Sequence, residues 1–197
     1  MATFRTIVRT LMVVVILLFT SLVYYGYVQD GAARAEADIP TLPDFEHTNN
    51  QQFIDNVVQC VDYIEHNTTD VYPVNLELLI AQAALESGWG NSRFARVGKN
   101  LFGIRTYDLK EPHMLPSNNP KKWGVKVYTH ECDSVLNYMQ VLNNGGAYEK
   151  YRNLIDSGQN DPYVLVETLD AYAADKHYFS KIKSILTKVR SEYEVKQ

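Results

Sequence analysis

Between Asn75 and Gly88 the chain reads Leu-Glu-Leu-Leu-Ile-Ala-Gln-Ala-Ala-Leu-Glu-Ser, in which Leu78, Leu79, Ile80, Ala81, Ala83, Ala84 and Leu85 leave almost no polar face. Asn75 is suited to accept the free backbone N–H groups at the start of a helix, and Gly88 to close one in the left-handed conformation. The pattern predicts a helix over Leu76–Ser87. A helix that is apolar nearly all round cannot lie on a surface; it has to be wrapped on several sides. The rest of the chain must therefore supply amphipathic elements that surround it.

Those elements are present. From Gln51 to Asn67, the positions Phe53, Ile54, Val57, Val58, Val61 and Ile64 follow the 3.6-residue period, with Asn49 or Asn50 as N-cap. Helical patterns return at Asp133–Asn143, Ala147–Ser157, Pro162–Ala171 and Tyr178–Glu192, the last with Phe179, Ile182, Ile185, Leu186 and Val189 on one face. Between Gly98 and Thr129 the period is lost. Pro112, Pro116, Asn118, Asn119, Pro120 and Gly124 punctuate β-like pieces at Leu101–Thr106 and Gly124–Tyr128, which read as a small hairpin lobe. The fold class is mainly α (α+β). At 197 residues, 46% apolar and 12% aromatic, the chain has material for one core, and intrinsic disorder is excluded as its main state. A net charge of −4 lacks the clustered basic surface that a nucleic-acid binder needs, so that class is set aside.

Ahead of this domain, the 18 residues from Leu11 to Val28 are interrupted only by Thr20, Ser21 and Gly26. As a helix they would span about 27 Å, nearly a bilayer core. Arg5 and Arg9 precede the run while Asp30, Glu36 and Asp38 follow it, which places the start of the chain inside the cell and the remainder outside. Residues 1–30 read as a signal peptide or a signal anchor. Ala33-Arg34-Ala35 and Ala35-Glu36-Ala37 suit cleavage, whereas the length of the run favours an uncleaved anchor holding the protein at the membrane through residues 11–28. Residues 31–48, with Pro40 and Pro43 and no periodicity, read as a linker, leaving 49–197 as the domain. Cys60 and Cys132 fit no zinc or redox spacing. An exported compartment permits a disulfide, but Cys60 falls on the inner face of its helix, which favours two free thiols. His47, His66, His113, His130 and His177 lack metal-site spacing, so no metal and no cofactor are expected.

The chemistry concentrates at Glu86, a lone carboxylate at the C-terminal end of the apolar helix, beside the turn Gly88-Trp89-Gly90. The helix dipole is negative at that end and apolar neighbours remove solvation; both raise the pKa. An ordinary glutamic acid is only about 0.2% protonated at neutral pH, and each tenfold gain in protonation takes about 1.4 kcal/mol. The dipole supplies only about 0.3–1 kcal/mol, so desolvation must do most of the work. A carboxyl that keeps its proton in a cleft suits a general acid for a departing sugar oxygen; a plain surface residue at a helix end is the competing reading.

The segment Leu85-Glu86-Ser87-Gly88-Trp89-Gly90-Asn91-Ser92-Arg93-Phe94-Ala95-Arg96-Val97-Gly98-Lys99-Asn100-Leu101-Phe102-Gly103 resembles the signature of the bacterial β-N-acetylglucosaminidases of glycoside hydrolase family 73, in particular the Bax-like branch. Val127-Tyr128 leading into Asp133-Ser134-Val135, then Tyr138-Met139, Leu142-Asn143 and Ala147-Tyr148, extend the likeness. So does Tyr172-Ala173-Ala174-Asp175 with Tyr178, close to that family's Tyr-Ala-Thr-Asp-x-x-Tyr element. The resemblance covers roughly residues 50–190 and implies a lysozyme-like helical domain that cuts peptidoglycan glycan strands after N-acetylglucosamine in the bacterial envelope, at the outer face of the cytoplasmic membrane or in the periplasm. It puts the catalytic acid on Glu86 and a cleft tyrosine on Tyr172.

By the same resemblance Asn100 and Phe102 would touch sugar, and Trp89, Tyr128 and Tyr138 are further substrate-binding candidates, each with packing as the alternative. A second carboxylate has Asp108 and Glu111 as candidates in the β-lobe and Glu131 just past it, all of which also read as solvated charges. Arg105-Thr106-Tyr107-Asp108, and Lys121-Lys122 before Trp123, read as solvated turns, with the flanking of an anionic glycan as the alternative. Two other functions stay open: a lytic transglycosylase or muramidase, and a non-catalytic glycan-binding envelope protein. The first is disfavoured because Glu86-Ser87 runs on into Asn-Leu-Phe-Gly and not into a Gly-Leu-Met-Gln segment.

Overall fold

The computed structural model describes residues 12, 15–29, 39–70, 72–117, 122–172 and 175–193. The chain divides into two units, residues 1–40 and 41–197. In the first, residues 15–29 form helix α1 with exposed side chains. No helix among the described residues is long and apolar enough to cross a membrane. The span expected over residues 11–28 is therefore not shown; residues 11, 13 and 14 of it lie outside the described residues, as do both small-residue cleavage sites.

The second unit is built around the predicted apolar helix. Helix α3 (Leu76–Ser87) is capped by the Asn75 side chain, which accepts from the Leu78 N–H, and closed by Gly88 at φ 59°. Leu78, Leu79, Ile80, Ala81, Ala83 and Ala84 are all buried. α3 packs chiefly against α8 (Tyr178–Glu192), and also against α2 (Asn50–Asn67) and α7 (Pro162–Leu165). The wrapping demanded by its composition is thus met on three sides. α2 in turn packs on α5 (Glu131–Asn144), and α5 on α6 (Glu149–Asp156).

Several expectations are corrected. Cys60 and Cys132 are not free thiols: they form a disulfide tying α2 to the first turn of α5, across 72 residues of sequence. Cys60 does face inward and is fully buried, but the α2–α5 packing puts its partner in the same interior, which the period of one helix cannot reveal. Residues 41–48 are not a free linker. Phe45 is in the core, the Asn56 amide donates to the Glu46 carbonyl at 2.9 Å, and His130 Nε2 lies 2.9 Å from the Pro43 carbonyl oxygen. The excursion after Gly98 is a three-stranded antiparallel sheet and not a hairpin: β1 (Arg105–Thr106) and β2 (His113–Met114) flank β3 (Gly124–Lys126). A two-residue strand between Pro112 and Pro116 is too short to show alternation.

A short helix, α4 (Arg93–Gly98), also went unpredicted, although Ser92 caps it by accepting from the Ala95 N–H. The predicted helix over Pro162–Ala171 ends sooner. It tightens into a 3-10 turn at Val166–Thr168, where two β-branched residues lower helix propensity.

Candidate active site

Glu86 lies one turn after Gln82 on the same face of α3, and the reversal of the chain just beyond it is shaped by one serine. Buried Ser87 donates from its hydroxyl to the Ala83 carbonyl and accepts from the Gly90 N–H at 2.7 Å, folding the chain back sharply. Gly88, Trp89 and Gly90 all take positive φ there. A Cβ on Gly90 would stand 2.5 Å from the His47 ring, so glycine is required on both conformational and steric grounds.

The cleft beside Glu86 has a volume of about 630 Å³. One wall is helical and aromatic, with Tyr148 and Tyr172; the other is the β-lobe, with Phe102, Gly103, Arg105 and Tyr107. Gly103, at φ +66°, leaves its α-carbon side open to the acid, and a Cβ there would lie 3.9 Å from Glu86 Oε2. Glu86 is half-buried, and burial raises its pKa; the Tyr178 hydroxyl and the Lys181 charge act in the opposite sense and reduce the rise. The first expectation, that desolvation dominates, matches that order of causes.

Behind the acid lies a network that the sequence reading missed. The Gln82 amide donates to the Tyr178 hydroxyl at 2.7 Å, and the Tyr138 hydroxyl donates to Gln82 Oε1. Because the Tyr178 oxygen accepts from Gln82, its own proton is free to point at Glu86. Gln82 is fully buried and is the single polar residue in the apolar stretch of α3, four residues before the acid. That signal was legible in the sequence.

The Tyr172 hydroxyl donates to the Phe102 carbonyl at 3.0 Å, joining the two walls, and its ring stacks on Tyr178 with centroids 5.9 Å apart. Asn100 is buried and its amide is fully engaged: Nδ2 donates to the Ile104 and Lys126 carbonyls, and Oδ1 accepts from the Phe102 and Ile104 N–H groups. No donor or acceptor remains on it for a sugar, so it shapes the loop that carries Phe102 and Gly103. The Phe102 ring stacks on Tyr138 at 4.2 Å, and Tyr138 is buried beneath it. The Tyr128 hydroxyl donates to Asn137 at 2.8 Å, away from the residues that line the cleft. Trp89 packs against Phe53 and Tyr193, with the Lys188 ammonium over its ring.

Of the carboxylates proposed as partners for Glu86, none lines this cleft. Glu111 accepts from the Thr106 hydroxyl at 2.9 Å, Asp108 is exposed, and Glu131 is paired with Lys99 at 2.9 Å. The carboxylate that shares the cleft is Asp175, paired with Lys181 at 2.6 Å. That hydrogen bond, helped by the His177 N–H, holds its pKa below the usual range. Glu86 and Asp175 are therefore pushed apart in proton affinity. Among the described residues Cys60, His130 and Cys132 bring ligand-type atoms within 4.8 Å of one another. The two sulfurs are joined to each other, and the His130 nitrogens face the Cys132 N–H and the Pro43 carbonyl.

The chain is 28% identical over 127 residues to the exo-glucosaminidase LytG of Bacillus subtilis, covering 59% of this chain and 45% of that protein. It is 30% identical over 132 residues to the peptidoglycan hydrolase FlgJ of Pseudomonas aeruginosa, covering 60% and 32%. It thus spans less than half the length of either relative. Among solved structures, the catalytic domain of the autolysin Auto from Listeria monocytogenes superposes with a TM-score of 0.54 at 25% identity, over 82% of this chain and 94% of that one. The glycoside hydrolase domain of Salmonella typhimurium FlgJ shares the fold, with a TM-score of 0.55 at 22% identity over 73% and 90%. The sequence profile described as glucosaminidase, mannosyl-glycoprotein endo-β-N-acetylglucosaminidase, matches residues 65–191, and the chain belongs to that family of glycoside hydrolases.

Proposed function

We propose that this protein is an exported cell-wall hydrolase that cleaves the β-1,4 glycosidic bond after N-acetylglucosamine in the glycan strands of peptidoglycan, with Glu86 as general acid. The observation that carries the reading is the half-buried Glu86 carboxyl, its pKa raised by burial, on the wall of a cleft of about 630 Å³. Such a group holds its proton more readily than a free glutamate, and in the proposed step delivers it to the leaving sugar oxygen as the bond to the anomeric carbon breaks. Tyr178 orients the carboxyl, and Tyr172, through the Phe102 carbonyl, sets the distance between the walls. The name of FlgJ, a peptidoglycan hydrolase, supports peptidoglycan as the substrate, and that of LytG, an exo-glucosaminidase, supports the bond to N-acetylglucosamine.

Export rests on the apolar run at residues 11–28, with basic residues before it and acidic residues after it. The Cys60–Cys132 disulfide fits an oxidising compartment on the outer side of the cytoplasmic membrane. The second catalytic group is assigned to a carboxylate: Asp108 or Glu111 moving in with the β-lobe, or Asp175 already at the cleft.

The test is digestion of purified peptidoglycan by the full chain, wild type beside Glu86→Gln, with released ends identified by mass spectrometry. Reducing N-acetylglucosamine ends that fall about 10²–10⁴-fold in the variant are expected. Anhydro-muramyl ends would make the protein a lytic transglycosylase, and bound but uncut glycan a binding protein. Asp108→Asn, Glu111→Gln and Asp175→Asn in the same assay identify the second group by the largest loss.

A further inference from the structure

Among the described residues three charged ones line the cleft: Glu86, Asp175 and Arg105. Glu86 is bonded by Tyr178 and Asp175 is paired with Lys181. Arg105 has no carboxylate and no hydrogen-bond partner among the described residues. It is not loose, however. The antiparallel register sets Arg105 opposite Val125, which makes Trp123 its diagonal neighbour on the same face of the sheet, within reach of a long side chain. The guanidinium carbon lies 4.0 Å from the centre of the Trp123 ring. An indole is the best cation-stacking partner a protein offers. It covers one face of the guanidinium and leaves the N–H groups around its edge unspent.

A planar fork of donors, fixed in orientation and lacking an anion, fits a carboxylate through two parallel hydrogen bonds. Tyr107 stands on the same wall with 71% of its surface exposed, offering a ring face to whatever lies against the arginine. The net charge of −4 makes the protein repel anions in general, so a local cation in the cleft has to do the attracting.

We infer that Arg105, braced by Trp123, is a carboxylate-reading subsite of the cleft. It binds the acidic group carried by the lactyl-bearing sugar of the glycan, either the lactyl carboxylate itself or a carboxylate of a peptide attached there. The inference rests on the glycan-cleaving reading of the same cleft and adds its specificity. Trp123 in this arrangement is not a sugar platform, because the arginine occupies its ring.

The test uses binding, which does not depend on turnover. The full chain carrying Glu86→Gln is titrated with soluble peptide-free glycan bearing free lactyl carboxylates, with the same glycan after amidation of those carboxylates, and with peptide-bearing glycan before and after the same amidation. Binding to at least one free-acid form about tenfold tighter than to its amidated counterpart is expected, and which pair shows it tells the lactyl source from the peptide source. Adding Arg105→Gln should remove the preference by weakening only the free-acid form. Arg105→Lys, which keeps the charge and loses the fork, should retain part of it, and Trp123→Leu should lower it about threefold. Equal affinity for free-acid and amidated forms, or an equal loss on both in Arg105→Gln, overturns the subsite. Cleavage of peptidoglycan by the wild type, run in parallel, reports on the enzymatic reading alone. Binding to no glycan form overturns the subsite, and only the absence of wild-type cleavage beside it overturns the reading as well.

Discussion

The two walls of the cleft are made in opposite ways. On the helical wall nearly every polar group is used by another: Tyr138 and Tyr178 on Gln82, Tyr178 on Glu86, Tyr172 on the Phe102 carbonyl, Asp175 on Lys181. On the β wall, Arg105 and Tyr107 are exposed and, apart from the Trp123 ring under the guanidinium, their polar ends have no hydrogen-bond partner among the described residues. The first wall is a finished framework whose geometry exists before any ligand arrives, as the proton transfer proposed for Glu86 requires. The second leaves its donors for the ligand to satisfy. In the proposed reaction, positioning of the chemistry and choice of the substrate thus fall on different walls.

The joint between the walls is where the contrast can be broken most severely. Asn100→Ala removes four hydrogen bonds at once, taking that partner from the Phe102 and Ile104 N–H groups and from the Lys126 and Ile104 carbonyls, of which the Ile104 carbonyl still accepts from the Lys126 N–H. At roughly 1–3 kcal/mol for each group left unsatisfied, the loss should reach about 4 kcal/mol of folding stability. Denaturant unfolding measures it. A loss below about 1 kcal/mol would mean that water or a shifted backbone replaces the amide, and that the β wall is not held by it.

Smaller in effect is the pin inside the helical body. Replacing both Cys60 and Cys132 by alanine should lower stability by about 2–4 kcal/mol, mainly by releasing the unfolded chain from a long closed loop. Thermal melts should show the drop, while the preference for one glycan form over another stays where it was, because the disulfide lies between α2 and α5 and not on the β wall. Altered selectivity would mean that the walls are coupled through the body.

The same division explains what could be read from the sequence. α3 was legible from its composition and both its caps, and α2 and α8 from their periods, because long helices repeat their signal several times. Glu86 was legible for the same reason: a lone carboxylate stands out against an apolar background. The β wall repeats nothing. Strands of two and three residues carry no alternation, and the stacking of Arg105 on Trp123 joins positions 18 apart through a register that only pairing can set. Asp175 stood in the quoted motif beside Tyr172, but its place at the cleft depends on how α8 docks. The linker reading failed at Phe45 because a single aromatic in an aperiodic stretch gives no sign that it is buried.

One hydroxyl crosses from the framework to the ligand wall, and its removal sharpens the contrast. Tyr172→Phe keeps the ring stacked on Tyr178 but deletes the bond to the Phe102 carbonyl. Stability should fall by only about 1 kcal/mol, whereas glycan cleavage should fall about tenfold or more as the loop carrying Gly103 drifts from Glu86. If stability and cleavage both stay at wild-type values, the walls do not need this link.

The smallest effect has the opposite sign. Glu86 binds its proton more tightly in the folded than in the unfolded chain, since burial raises its folded pKa. The folded state therefore holds more protons through the interval between the two pKa values, and stability falls as pH rises through it. Above the folded pKa the full penalty of a half-buried carboxylate is present; below the unfolded value, near that of a free glutamate, it is absent. Glu86→Gln removes a group that must ionise and keeps an oxygen to accept from Tyr178. It should stabilise the protein by up to about 1 kcal/mol at pH 7–8, roughly 2–4 °C in a domain of this size, and the gain should vanish at pH 4. Melting curves of wild type and variant across that range decide it. A gain that persists unchanged at pH 4 would trace to packing, and the acid's tendency to hold its proton would then have to come from the substrate.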